Sequence, residues 1–183
     1  LYGYMNTKGK MVIPFKYDSA SEFSEGLAKV EYKDKQENRH VGYIDADGKL
    51  AFKADKWLKG NFSDGLAHIR TEKNGKFVYG FIDKSGKVVI EPRYKKVSAF
   101  SEGLAFVKEN GKIMMIDKNG KPVVTFDFES GSFDKFPMFS DGLAKPYYKW
   151  KFATGFRGYL NKEGKLAFPK LDITLMSTPF TEQ

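Results

Sequence analysis

Four acidic residues recur at one position of this 183-residue sequence: Glu25, Asp64, Glu102 and Asp141 each stand between a serine and a glycine. Carboxylate pairs do the acid and base work of glycoside hydrolysis, which needs two such groups in different environments at a set separation. Four copies of one position have equivalent environments, which suits a turn better than an acid–base pair. Asp45-Ala46-Asp47-Gly48 has the alternating carboxylates that open a calcium loop, but the position where a bidentate glutamate would close the loop is Lys56. His40 and His68 are the two histidines, and neither has a second histidine at metal-ligand spacing. Both read as solvated strand or loop residues. The sequence has no cysteine, which excludes disulfides, thiolate zinc sites and thiol nucleophiles. It also has no glycine-rich phosphate loop and no glycine-flanked serine elbow. No catalytic residue, metal site or cofactor is therefore expected.

The stretch with most binding chemistry is Lys145-Pro146-Tyr147-Tyr148-Lys149-Trp150-Lys151-Phe152, where aromatic and basic residues interleave. Such a strand can stack rings on sugars or bases while its ammonium groups meet anions. Alternation sends Tyr147, Lys149 and Lys151 to one face and Tyr148, Trp150 and Phe152 to the other. Burial of the aromatic face is the simpler reading of that pattern. Tyr147, Lys149, Trp150 and Lys151 are the candidate ligand- or partner-binding residues.

Behind these residues stands a chain rich enough to build a core, with 41% hydrophobic and 16% aromatic residues. A net charge of +8 favours anionic surfaces without selecting one, and many of the lysines stand beside turn glycines. No apolar run has the length of a membrane-spanning helix.

An internal repeat decides the architecture. Phe23-Ser24-Glu25-Gly26-Leu27-Ala28 returns at Phe62, Phe100 and Phe139, with glycines 39, 38 and 39 residues apart. A second block alternates with it, as in Gly42-Tyr43-Ile44-Asp45 followed by Gly48-Lys49, and recurs near residues 3, 80, 116 and 158. Its Asp or Asn and its glycine are the chemistry of a type I turn with a bulge, the side chain accepting from turn amides. Asn74-Gly75 and Asn110-Gly111 are the strongest hairpin signals in the chain. The unit is thus an all-β, three-stranded antiparallel meander, for example over 66–72, 76–83 and 87–90.

One three-stranded sheet cannot bury both faces, so the units must stack. A solenoid or superhelix is the first expectation and a propeller-like ring the second. Phe23, Phe62, Phe100 and Phe139, with Tyr17, Trp57 and Tyr94, form the expected packing set between units. From turn glycine to the next Ser-Glu/Asp-Gly glycine the spacing is 17, 17, 17 and then 22, whereas the return spacing is 22, 21, 17 and 22. The first hairpin of each unit is the variable part, where repeat proteins place binding surfaces. The array, about four and a half units, is expected over residues 1–170, with 171–183 as a C-terminal tail or cap. Tyr2 to Asn6 read as the second strand of a unit without its first, which leaves a sheet edge open to pairing.

At these residues the chain resembles the bacterial WG-repeat (Trp-Gly) family, from Gly3 to Phe168. It departs from the family by having Tyr2, Val41, Tyr79 and Arg157 where the tryptophan stands, and Met114 in place of one glycine. The resemblance implies a β-repeat module with no assigned catalytic residues, often associated with the bacterial cell envelope or surface. The expected function is a non-catalytic scaffold that binds a protein partner, in part through its open N-terminal sheet edge. The alternative is a binding module for an anionic glycan or cell-wall polymer, and nucleic acid or an enzyme activity ranks below both.

Overall fold

The computed structural model describes residues 1–54, 60–126, 136–145, 158–165 and 167, together with the backbone of 132–133 and 148–149. None of these residues is helical. No helix long and apolar enough to cross a membrane occurs among them. The chain is all-β.

Strands β1 (Tyr2–Met5) and β2 (Met11–Tyr17) form a hairpin, followed by β3 (Ser19–Ala20), β4 (Ala28–Lys33), β5 (Arg39–Ile44) and β6 (Leu50–Ala54). The expected meander appears as β7 (Leu66–Lys73), β8 (Lys76–Asp83) and β9 (Val88–Tyr94). Next come β10 (Lys96–Val97), β11 (Ala105–Glu109), β12 (Lys112–Ile116) and β13 (Pro122–Phe126). Four short strands follow, β14 (Ser132–Phe133), β15 (Phe139–Ser140), β16 (Leu143–Ala144) and β17 (Tyr148–Lys149). Among the described residues every pairing is antiparallel and no sheet closes on itself, and the repeats form a solenoid-like series of small sheets.

The sheets are not independent meanders. After Tyr17 the chain bends at Asp18, and β3 continues β2 onto the edge of the next sheet, pairing Ser19 with Glu31 and Ala20 with Val30. The same happens after Tyr94, where β10 pairs Lys96 with Lys108 and Val97 with Val107. The first and third units thus lend the end of their third strand to their successors, whose sheets become four-stranded. Asp18 N–H to Glu31 O at 2.8 Å and Lys95 N–H to Lys108 O at 2.7 Å hold the two bends.

The apolar core lies between units. One cluster joins Ile13 of β2 to Ala28, Val30 and Ile44 of the next sheet, and another joins Phe81, Ile90 and Tyr94 to Phe100, Ala105 and Ile116. No single unit could bury these side chains alone, because one layer of sheet has no second layer to close it. Phe62, Phe100, Phe139, Tyr17 and Tyr94 are buried as expected, whereas Phe23 is 36% exposed. Trp57 lies outside the described residues.

Glycine marks where strands press together. Gly3 and Gly80 face bulges at which the partner strand runs ahead: Tyr2 pairs Tyr17 but Tyr4 pairs Ile13, and Tyr79 pairs Tyr94 but Phe81 pairs Ile90. The extra residues include Pro14 and Pro92, and a bulge suits proline because no ladder hydrogen bond is asked of it. A Cβ on Gly80 would fall onto the Ile90 carbonyl and lie 2.7 Å from Pro92 N. In the second and fourth units the strands stay in register here, with Gly42 opposite Lys53 and Met114 opposite Thr125. That regular register is why a methionine fits where the first and third units need glycine. Gly80→Ala should therefore lower stability by about 1–3 kcal/mol, as overpacking against backbone does. Gly42→Ala, whose nearest obstacle is the movable tip of Leu50 at 2.6 Å, should cost clearly less. Urea midpoints of the two variants compare them directly.

Candidate functional site

Each Phe-Ser-Glu/Asp-Gly-Leu-Ala block folds as a two-residue hairpin. Ser24 and Leu27 exchange backbone hydrogen bonds at 2.9 and 3.1 Å, and Glu25 and Gly26 have φ of 51° and 83°. Two consecutive positive φ values define the type I′ turn, which Asn-Gly favours. Asn74-Gly75 and Asn110-Gly111 make the same turn with those residues, at the hairpin tips the sequence marks. A glutamate in the left-handed region costs about 1–2 kcal/mol, since its Cβ crowds the following carbonyl. An acidic residue here therefore needs a compensating interaction.

That interaction is a ladder from turn to turn. The Glu25 carboxylate accepts the Gly65 N–H at 2.9 Å, Asp64 accepts the Gly103 N–H at 2.6 Å, and Glu102 accepts the Gly142 N–H at 3.1 and 3.0 Å. The serines form a parallel rail: Ser24 Oγ donates to the Phe62 carbonyl at 2.5 Å and Ser63 Oγ to the Phe100 carbonyl at 2.6 Å. At the next step the direction reverses, and buried Ser101 accepts from Phe139 N–H at 2.7 Å. Two lysines from the Asp/Asn turns brace the ladder, Lys84 on Glu25 at 3.2 Å and Lys162 on Glu102 at 2.9 Å. The four equivalent acids are turn residues, as their periodicity indicates.

These contacts set the charge states. Burial pushes the Glu25 carboxyl up, but hydrogen bonds from Lys84 and Gly65 outweigh it and hold the group below its ordinary range. Lys162 and then the Gly142 N–H hold Glu102 below its ordinary range in the same way. His68 is a correction to the solvated reading: it packs against Tyr79 and Gly60, and burial first, then Lys29, push its imidazole below the ordinary 6.5. His40 is also engaged, with Nε2 at 2.8 Å from Asp34 Oδ2 and its ring tilted against Tyr32. That contact first, against the pull of desolvation, and then Asn38 and Gln36 N–H hold Asp34 far below the usual carboxylate range. Asp45 spends Oδ1 on the amides of Asp47 and Lys49 at 3.1 and 2.9 Å, as a turn cap does. No three His, Cys, Asp or Glu side chains gather for a metal among the described residues.

Of the residues singled out for binding, Tyr147, Trp150 and Lys151 lie outside the described residues. Lys149 is described only as the backbone of β17, paired through Ser132 to β14. Exposed apolar side chains are described along the array, among them Phe77, Val89, Val123 and Met138. Strand β1 has a neighbour on one side only. Tyr2 and Phe15 are each 56% exposed, and Met5, Met11 and Val12 are exposed beside them. Pro92, which holds the place of Phe15 in the third unit, is buried. Phe23 packs tilted against Tyr4 with ring centroids 4.7 Å apart, as Phe100 packs edge-on against Phe81 at 4.7 Å, yet only Phe100 is covered.

Compared with known families, residues 2–35 and 79–112 match the model of the WG containing repeat. The two stretches are the first and third units, two repeat lengths apart, and they share the proline bulge opposite Gly3 and Gly80. No curated protein matches the sequence.

Replacing Ser101 by alanine leaves a buried Phe139 N–H unpaired and should cost about 1–3 kcal/mol, measured by urea unfolding. Acid should also weaken the fold in two stages. His68 and the ladder glutamates all have lowered folded pKa values, so the stability they confer is full above their unfolded values and is lost as pH falls. The His68 contribution declines below about 6.5 and that of Glu25 and Glu102 below about 4.5. In melting curves against pH, His68→Gln should flatten the first stage and Glu25→Gln with Glu102→Gln the second.

Proposed function

The chain belongs to the WG-repeat proteins, and on that premise we propose that it is a non-catalytic scaffold that binds a protein partner by surface complementarity. The observation that carries this reading is the stacked array itself, whose first hairpins differ from unit to unit: a five-residue tip over Asp34–Asn38 stands where the next units turn on Asn74-Gly75 and Asn110-Gly111. Variable tips on a regular array are where repeat proteins place binding surfaces. The ladder supports the same reading, since it commits the repeated carboxylates to holding units together. An attachment to a bacterial envelope or surface assembly fits the setting in which such repeats are expected.

A second reading rests on a different observation. Lys10, Lys49, Lys87, Lys121 and Lys165 follow the turn glycine in every unit, and all five are exposed. Among the described residues none of them pairs with a carboxylate. Turn stacking orders them, because Gly48 packs on Ile13, Gly86 on Phe52 and Gly120 on Ile90. A row of ammonium groups at repeat intervals suits a linear anionic glycan or wall polymer.

Capture from envelope extract at low and high salt, using the tagged chain and a variant in which Asn-Gly replaces the Asp34–Asn38 tip, separates the two. One stoichiometric protein retained at high salt and lost with the variant is the expected result. Recovery of anionic polymer alone, released by salt and indifferent to the variant, would sink the protein-binding reading and favour the lysine row.

A further inference from the structure

The first hairpins of consecutive units all run away from the ladder, so their tips gather along the opposite edge of the array. From Leu27, Leu66 and Leu104 the chain reaches the tips at Asp34–Asn38, Asn74-Gly75 and Asn110-Gly111 in six to eight residues. At strand rise that carries each tip about 20–26 Å from the ladder. Two contacts tie this edge together: Arg93 of β9 meets Glu109 at the tip of the next unit at 3.5 Å, and Lys73 Nζ donates to the Pro92 carbonyl at 2.9 Å. Over residues 32–40, 70–79 and 108–113 lysine and arginine outnumber aspartate and glutamate by 8 to 4, so the edge is cationic.

More telling than the count is the register, which sets cation against cation. Lys33 stands opposite Arg39, Lys73 opposite Lys76, and Lys96 opposite Lys108. Like charges directly opposite each other on an antiparallel pair oppose folding. The turn does not require them, because at the places of Lys73 and Lys76 the fourth unit closes the same Asn-Gly tip with Glu109 opposite Lys112. Lys33 is answered within its own tip by Glu37. Arg39, Lys73, Lys76 and Lys108 pair with no carboxylate among the described residues. Beside Lys76, Phe77 is 45% exposed, with the Arg70 guanidinium over its ring at 4.2 Å from the centroid.

We propose that this edge binds a carboxylate-rich segment of a partner protein, whose acids enter between Lys73 and Lys76 and beside Arg39 and Lys108 while an apolar side chain rests on Phe77. The inference rests on the protein-binding reading and names the chemistry of the partner. An acid set between two opposed ammonium groups removes their repulsion and accepts charge-assisted hydrogen bonds from both, so a register that opposes folding becomes a source of affinity. A uniform polyanion would meet Glu37, Glu72 and Glu109 as well as the cations. A protein segment carries its acids only where the cations stand.

The test uses the chain itself, labelled for amide NMR, and a synthetic peptide of glutamate pairs separated by leucine. The expected result is that the amides of Lys73, Lys76, Phe77 and Lys108 shift as peptide is added, and that a peptide with glutamine for glutamate leaves them unmoved. Lys73→Glu recreates the closure of the fourth unit, so it should hold or raise the urea midpoint while weakening the peptide about tenfold, the order expected when a hydrogen bond to a charged group is lost. Lys118→Glu, an exposed charge change in the Asp117–Gly120 turn beside the ladder, should leave the affinity unchanged. Unmoved amides at millimolar peptide, or equal affinity of the Lys73→Glu chain, would overturn the proposal. Heparin binding more tightly than the peptide at the same amides would overturn the choice of a protein segment in favour of a polyanion. If the peptide fails while a captured protein is still lost when Asn-Gly replaces the Asp34–Asn38 tip, the acidic chemistry falls and the protein-binding reading stands.

Discussion

A carboxylate that reaches from one type I′ turn to the glycine amide of the next holds this array in step. The turn is strained for an acidic residue, as the φ of 51° at Glu25 and 54° at Asp64 attest. The charge-assisted hydrogen bond offsets that strain only when a second turn is stacked at the right distance. Strain and relief therefore belong to different units, and the turn is comfortable only inside the array. The serine rail and the braces from Lys84 and Lys162 act along the same line.

Packing obeys the same constraint. The third strands of the first and third units bend into the edge of the next sheet, and each apolar cluster takes side chains from consecutive units. A solenoid of this kind is stabilised by nearest-neighbour interfaces, so its ends are surfaces of the same composition as its interior.

The acidic positions illustrate how a repeated polar residue differs from a catalytic one. Catalytic carboxylates are driven apart in pKa by unlike surroundings. Glu25 and Glu102 are both held low by the same pair of groups, a lysine and a glycine amide. Asp34, drawn lower still by His40, stands in a five-residue tip that the other described hairpins replace with Asn-Gly. That tip is where the units differ most, as their unequal spacing suggests.

The all-β class, the repeat and the location of its turns were legible in the amino-acid order, because Asn-Gly, Asp-x-x-Gly-Lys and period-two apolar runs encode local backbone geometry. The strands β7 to β9 fall almost where that chemistry places them. The Ser-Glu/Asp-Gly trio was legible as a turn, and one signal of its further role was there as well: an acid persists where Asn-Gly serves elsewhere. Which atom the acid reaches was decided only by the tertiary structure, since Glu25 and Gly65 lie forty residues apart and meet through stacking. Stacking likewise decided that the arm lends a strand to its neighbour, that His68 is packed away, and that Phe23 alone among its equivalents is left partly exposed. Local sequence sets the shape of a turn, whereas its partners depend on contacts that no short window of residues contains.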